Sequence, residues 1–207
     1  MNGSVQTAKA VANGDYTDVT LTLEQGEMVF VVFRHDKKAP EPMREVVPMG
    51  KIPLEDWTLT FPEGWGIGEP LVVNHLKAWK DLPLGDEGKA FSGTATYQTT
   101  VHLDSKKRKL HYRLLLGNVE EIAVVKVNGH IADTLWARPY ATDITPFLHR
   151  GDNTITVEVT STWYNRLVYD AGLPEEQRRT WVINGPKANQ PLRPSGLLGP
   201  VTLVREK

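Results

Sequence analysis

Aromatic rings and planar polar groups gather in two irregular stretches of this 207-residue chain. Trp136, Arg138 and Tyr140 stand in one; Trp163, Tyr164, Asn165, Arg166 and Trp181 stand in the other. Indole and phenol rings offer flat apolar faces, and arginine and asparagine set paired donors and acceptors beside them. A pyranose ring asks for that combination, with a C–H face to stack and hydroxyls to bond. The competing reading is that the same aromatics plug the end of a domain or pack on a neighbour, because burying a large ring contributes heavily to stability. Trp57 and Trp79 are assigned to the core or to a domain contact.

Hydrolysis of a glycosidic bond needs two carboxyl groups about 5–10 Å apart. The candidates are Glu158, Asp143, Asp170, Glu175 and Glu176. Glu158 falls on the polar side of an alternating run, and Asp143 precedes Thr145-Pro146 in the manner of a turn residue that binds its own backbone. Glu175 and Glu176 are adjacent and point in different directions. No pair stands out, so no catalytic residue is assigned. The chain has no cysteine, which excludes disulfides, thiolate zinc sites and a cysteine nucleophile. The six histidines are scattered singly and read as surface or internally satisfied groups rather than ligands.

The elements that must position these groups are strands. Glu121–Thr160 is the most legible stretch. Ile122–Val127 is a β-branched run, Asn128-Gly129 suits a tight hairpin turn, and Thr154–Thr160 alternates with Ile155, Val157 and Val159 on one face. Trp57, Leu59 and Phe61 share a face, as do Ala95, Tyr97, Thr99, Val101 and Leu103. Leu71–Leu76, Leu110–Leu116 and Val201–Val204 complete the strand set. Ser161–Trp181 reads as a long loop in which Pro174–Arg178 makes one helical turn. No second helical period is visible. Many short strands separated by glycine and proline turns predict an all-β sandwich.

Residues 1–36 are expected to form a β-hairpin, with Asp18–Glu24 and Met28–Phe33 as strands and Gln25-Gly26 as the turn. A lone hairpin is not stable in water, so it reads as the end of a preceding β domain. The polar, proline-containing His35–Pro42 stretch suggests a linker over 37–50, leaving 51–207 as the sandwich. Basic and acidic residues number 24 and 25, so no excess charge favours nucleic acid or an anionic membrane as a partner. The basic run Lys106–Lys109 reads as a solvated hairpin tip. No apolar run approaches a membrane span, and the first residues lack the apolar region of a signal peptide.

Four ordered pieces carry a resemblance. Phe91–Tyr97 resembles the opening strand, and Val124–Gly129 the V-x-V-N-G strand and turn, of the sugar-binding jelly-roll domain of glycoside hydrolase family 2. Asp143–Leu148 with Gly151-Asp152-Asn153 resembles its D-I-T-x-x-L-x-x-G-x-N segment, and Arg193–Val201 its closing R-x-S-G-I-x-x-x-V. Val29–Arg34, Trp163–Leu167 and Ser195–Pro200 look closer still to the C-terminal region of α-L-rhamnosidase-like enzymes of family 106.

The resemblance implies a galactose-binding-like jelly-roll fold and a non-catalytic, carbohydrate-binding-like accessory domain. Its partners would be a plant or host glycan and the other domains of a larger hydrolase, of α-L-rhamnosidase or β-galactosidase type. In such enzymes the catalytic carboxylates sit on a separate barrel that this chain is too short to hold. The alternatives are a structural module that only makes domain contacts and a catalytically complete glycosidase. By the same resemblance Asp170, Arg166 and Asn165 would reach toward a neighbouring active site. The resemblance also implies that a structural calcium can sit in the loops, and a periplasmic or extracellular bacterial location.

Overall fold

The computed structural model describes residues 7–23, 28–34, 47–105 and 110–207. They fall into two compact units, Met1–Val47 and Pro48–Lys207. In the first, β1 (Lys9–Asn13) pairs antiparallel with β2 (Tyr16–Thr20). The turn between them contains Gly14 at φ +62°.

The hairpin therefore lies nearer the N-terminus than its pattern predicts. Met28–Phe33 has no regular secondary structure, and Gln25-Gly26 lies outside the described residues. A strand needs a ladder partner for its N–H and C=O groups. Alternation marks a segment able to pair without naming what it pairs with. Lys9–Asn13 supplies the partner for Tyr16–Thr20, and no described segment of this unit supplies one for Met28–Phe33. Most of the predicted linker and the run Lys106–Lys109 also lie outside the described residues.

The second unit contains β3 (Pro48–Pro53), β4 (Trp57–Thr60), β5 (Leu71–Val73), a short helix α1 (Asp86–Lys89), β6 (Thr94–Leu103) and β7 (His111–Leu115). There follow β8 (Asn118–Glu120), β9 (Ile122–Val127), β10 (His130–Leu135), β11 (Ala141–Asp143) and β12 (Gly151–Thr160). Helix α2 (Tyr164–Asp170), β13 (Gly196–Gly199) and β14 (Thr202–Glu206) complete it. A six-stranded sheet runs β10-β9-β12-β6-β4-β5 and a four-stranded sheet runs β11-β7-β14-β3, with β13-β8 as a small ribbon. The strand pairs are antiparallel, and β6 and β12 match over ten residues, Thr94↔Thr160 to Leu103↔Gly151.

The sandwich follows from the alternation. Ala95, Tyr97, Val101 and Leu103 of β6 and Ile155, Val157 and Val159 of β12 are buried. They join Trp57, Leu59, Tyr112, Leu114 and Leu203 in one core. Burying such side chains supplies most of the folding energy, about 1.5–3 kcal/mol for each large one.

The signature segments turn out to be joints of this scaffold. Asn128, the turn residue of V-x-V-N-G, donates from Nδ2 to Phe147 O and to Asn153 Oδ1, both at 2.9 Å. Its Oδ1 accepts the Thr154 N–H at 3.0 Å. Asn153, the last residue of G-x-N, is fully buried and donates to His149 O and Gly151 O. Asp143 accepts both the Thr145 N–H and the Thr145 hydroxyl. That hydroxyl oxygen accepts the Tyr112 N–H at 2.7 Å. The expected self-binding turn is present.

Candidate functional site

Trp163 and the residues behind it are positioned by the end of β12. Past Thr160, the Ser161 N–H donates to Gly93 O at 3.0 Å, and Trp163 then opens α2. That helix corrects the prediction of a loop without a helix before Pro174. Its inward residues include Asn165, Arg166 and Asp170, all at most 3% exposed. A helix that buries polar groups has no apolar stripe, so periodicity of hydrophobicity cannot announce it.

Buried polar groups need partners, and most of these have them: Arg166 Nε has no hydrogen-bond partner, and Asp170 Oδ1 is held by its ion pair alone. Asn165 clips the backbone of Arg193 from both sides: Nδ2 donates to Arg193 O at 2.9 Å and Oδ1 accepts Arg193 N–H at 2.8 Å. Arg166 Nη2 lies 2.7 Å from Asp170 Oδ1, and its Nη1 donates to Glu87 Oε1 of α1 at 2.9 Å. The same Glu87 oxygen lies 3.1 Å from Arg179 Nη2. Two arginines and two carboxylates thus alternate in one network with no net charge. Asp170 Oδ2 also accepts the N–H groups of Arg179 and Thr180 and the Thr180 hydroxyl, at 3.0, 2.8 and 2.6 Å. Burial works to raise the Asp170 carboxyl. The Arg166 guanidinium and the Thr180 groups outweigh it and hold the carboxyl below the usual carboxylate range.

Aromatic rings close over this network. The Arg166 guanidinium lies 5.4 Å from the Trp65 ring centre and 5.1 Å from that of Tyr169. Arg179 lies 4.7 Å from Trp65 on its own account and donates to Gly64 O. These are cation–π distances. Trp65 in turn meets Phe91 edge-on at 4.9 Å and Trp163 at a tilt, 6.1 Å between centres. Trp163 remains 51% exposed and Trp181 79% exposed. The outcome is two exposed indoles on a backbone tied down by buried charges.

The other loop leaves the same end of the six-stranded sheet. Leu135 pairs with Ala123, and Ala123 with Val159, so the chain exits toward Trp136 and toward Trp163 from the same side. The polar partners differ, however. Arg138 Nη2 donates to Asn118 Oδ1 at 3.1 Å, and the Tyr140 hydroxyl to Glu121 O at 2.6 Å. Burial and the charges of Glu121 and Glu120 push the Tyr140 hydroxyl up, with Arg138 opposing. Trp136 is exposed while Tyr140 is buried.

The nine candidates thus separate. Trp136, Arg138, Trp163 and Trp181 present surface, Tyr164 is half-buried, and Tyr140, Asn165, Arg166 and Asp170 are internal struts. Trp65, Glu87, Tyr169 and Arg179 belong to the cluster and are absent from the predicted set. Trp65 carried a signal, a tryptophan between glycines in a loop; Glu87 carried none.

The carboxylates considered for hydrolysis have local partners in part. Glu158 lies 2.5 Å from Lys126 Nζ, and Asp143 lies 3.1 Å from His111 Nδ1. Among the described residues no three His, Asp or Glu side chains converge on a point that would hold a metal ion. No helix among them is long and apolar enough to cross a membrane.

Comparison with known proteins gives this architecture its context. The chain is 33% identical to "Putative beta-glucuronidase" of Formosa agariphila, an alignment covering 71% of this chain and 15% of the relative. The rhamnosidase of Novosphingobium sp. PP1Y superposes with a TM-score of 0.70 at 30% identity, over 83% of this chain and 16% of that one. Ruminococcus gnavus β-glucuronidase shares the fold, with a TM-score of 0.58 at 17% identity over 80% of this chain and 29% of that one. The chain thus spans about one sixth of the first two proteins. Residues 86–193, over half of the sequence, match the family described as glycosyl hydrolase 2 galactose-binding domain-like. They run from α1 through β12 and α2 to Arg193, which supply the cluster apart from the Gly64-Trp65 loop, and the chain belongs to that family.

Proposed function

We propose that this chain is a non-catalytic accessory domain of a larger glycoside hydrolase, bracing the catalytic domain and holding glycan on its Trp163–Trp181 face. The observation that carries the reading is the pairing of exposure with support. Trp163 and Trp181 are more than half exposed, yet the backbone beside them is pinned by the buried Arg166–Asp170 pair. Pre-ordered aromatic surface binds with less entropy lost than mobile surface. Buried Arg166, Asn165 and Asp170 would serve by holding that surface rather than by touching sugar. Trp136 and Arg138, at the same sheet end, would extend it. A periplasmic or extracellular location suits a glycan ligand.

The test is affinity electrophoresis against plant and host polysaccharides. Retardation is expected on at least one glycan, and Trp163→Ala and Trp181→Ala should abolish it. Retardation unchanged in both variants would overturn the assignment of this face.

One observation favours the alternative of a structural inter-domain module without glycan affinity. Trp181, Val182 and Ile183 are consecutive and exposed, and an unbroken apolar run suits a protein contact better than a hydroxylated ring. Absence of retardation on every glycan would favour it.

A further inference from the structure

A cleft of about 360 Å³ opens between α1, α2 and the segment that precedes β13. Val168, Tyr169 and Leu192 line it. Asp86, Lys89 and Gln190 also line it. None of the exposed tryptophans lines it, so it is a place apart from the Trp163–Trp181 face.

We infer that this cleft binds a single neutral pyranose ring. The inference rests on the carbohydrate reading above and assigns it a second, separate contact. The volume is at the lower end for small-ligand clefts, roughly 300–1,000 Å³, which suits a single sugar ring rather than a polymer groove. A pyranose presents an apolar C–H face and a belt of hydroxyls. The half-buried Leu192 and Tyr169 match the face, over the buried Val168. The lining groups match the belt: Asp86 accepts from hydroxyl protons, Lys89 donates to hydroxyl oxygens, and an amide such as Gln190 does both. One carboxylate and one ammonium leave these groups without net charge, which favours a neutral sugar over a uronic acid.

Gln190 is also held in place. The Tyr164 hydroxyl donates to its Oε1 at 3.2 Å, which leaves the amide hydrogens for a ligand. Tyr164 lies under the Arg193 guanidinium, 3.8 Å from ring centre to charge centre, and Arg193 is clipped by Asn165. A side chain positioned by three successive contacts loses less freedom on binding than a free surface glutamine.

Saturation-transfer NMR on the full 207-residue chain tests this, with methyl α-L-rhamnoside, methyl β-D-galactoside, methyl β-D-glucoside and methyl β-D-glucuronide as probes. Saturable transfer to at least one neutral glycoside is expected. Asp86→Ala and Gln190→Ala, both at exposed positions, should weaken it at least tenfold, while Trp163→Ala and Trp181→Ala leave it within twofold. Equal melting temperatures of the variants exclude unfolding as the cause. Transfer lost with the tryptophans and kept in the cleft variants would overturn the cleft and spare the carbohydrate reading. Transfer to the glucuronide alone would overturn the neutral-sugar assignment. No transfer from any glycoside, with polysaccharide retardation intact, would overturn the cleft alone; with retardation also absent, both readings fall.

Discussion

Arg166 and Asp170 face each other across 2.7 Å, one helical turn apart, with neither side chain more than 2% exposed. The pair joins α2 to two other parts of the chain. Through Glu87 it reaches α1, and through the second carboxylate oxygen it holds the backbone at Arg179 and Thr180. One carboxylate therefore governs both the packing of α2 and the course of the loop that carries Trp181.

Removing that carboxylate leaves the buried Arg166 guanidinium with Glu87 alone and takes the acceptor from the Arg179 and Thr180 N–H groups. Breaking a buried pair from one side costs about 3–5 kcal/mol, so Asp170→Ala should lose about that much in urea unfolding. The pH dependence has a definite sign. The folded carboxyl titrates below its unfolded value, so its contribution is complete above about pH 4 and is lost as the pH falls through the lower folded value. Wild-type stability should decline in that acid range, and Asp170→Asn should show a shallower decline. A loss under about 1 kcal/mol for Asp170→Ala would mean that the pair is not a strut.

Much of the scaffold was legible because it obeys one rule. Alternation in β6, β9 and β12 marks their buried faces, and Asn128-Gly129 marks a hairpin through positive φ at both residues, +52° and +82°. What escaped the pattern follows from physics that the pattern does not encode. Strand β10, His130–Leu135, is an edge strand with mostly exposed or half-exposed residues, so nothing alternates. Helix α2 buries the polar Asn165, Arg166 and Asp170 beside one hydrocarbon side chain, Val168. In the aromatic loops, residue type identified groups able to meet a sugar but not which of them face out: Trp163 and Arg166 are three residues apart, and one is half exposed while the other is buried. Ionic networks are settled by partners distant in sequence, as Glu87 is from Arg166.

Asn153 supplies a second test of the scaffold. It is fully buried, and its amide bonds His149 N–H, His149 O, Gly151 O and the Asn128 amide. Asn153→Ala removes these four hydrogen bonds at a part-buried joint. An orphaned buried group costs about 1–3 kcal/mol, so a loss of about 2–4 kcal/mol is expected from denaturant midpoints. Asn153→Asp should also destabilise, since a carboxylate accepts but cannot donate to the two carbonyls. A neutral Asn153→Ala would sink the view that G-x-N is a structural joint.

Tyr97 gives a prediction at the alkaline end. Its hydroxyl oxygen accepts the Trp79 indole N–H at 2.6 Å and the Leu197 N–H at 3.1 Å. Burial pushes the phenol up to about 12, against the smaller lowering effect of those two donors. The native state thus holds the proton more tightly than the unfolded chain. Stability from this group is complete below about pH 10 and is lost as pH rises from there toward about 12. Tyr140 is raised as well, so ultraviolet titration should show a late-ionising tyrosine component that shrinks in Tyr97→Phe without vanishing. A late component unchanged in Tyr97→Phe would assign it elsewhere.

The closing motif then finds its reason in a steric limit rather than in chemistry. Gly196 stands at φ +101°, and a Cβ there would come within 2.8 Å of Trp79 Cδ1 and 2.7 Å of the Tyr97 hydroxyl. Both rings are fully buried and hydrogen-bonded to each other, so neither can give way. Gly129, also at positive φ, has open space where a Cβ would stand. Gly129→Ala should therefore cost only the backbone strain, about 1 kcal/mol. Gly196→Ala adds overpacking of about 1–3 kcal/mol or more and should lower the melting temperature well beyond its counterpart. Equal melting temperatures for the two variants would refute the steric account of the S-G pair.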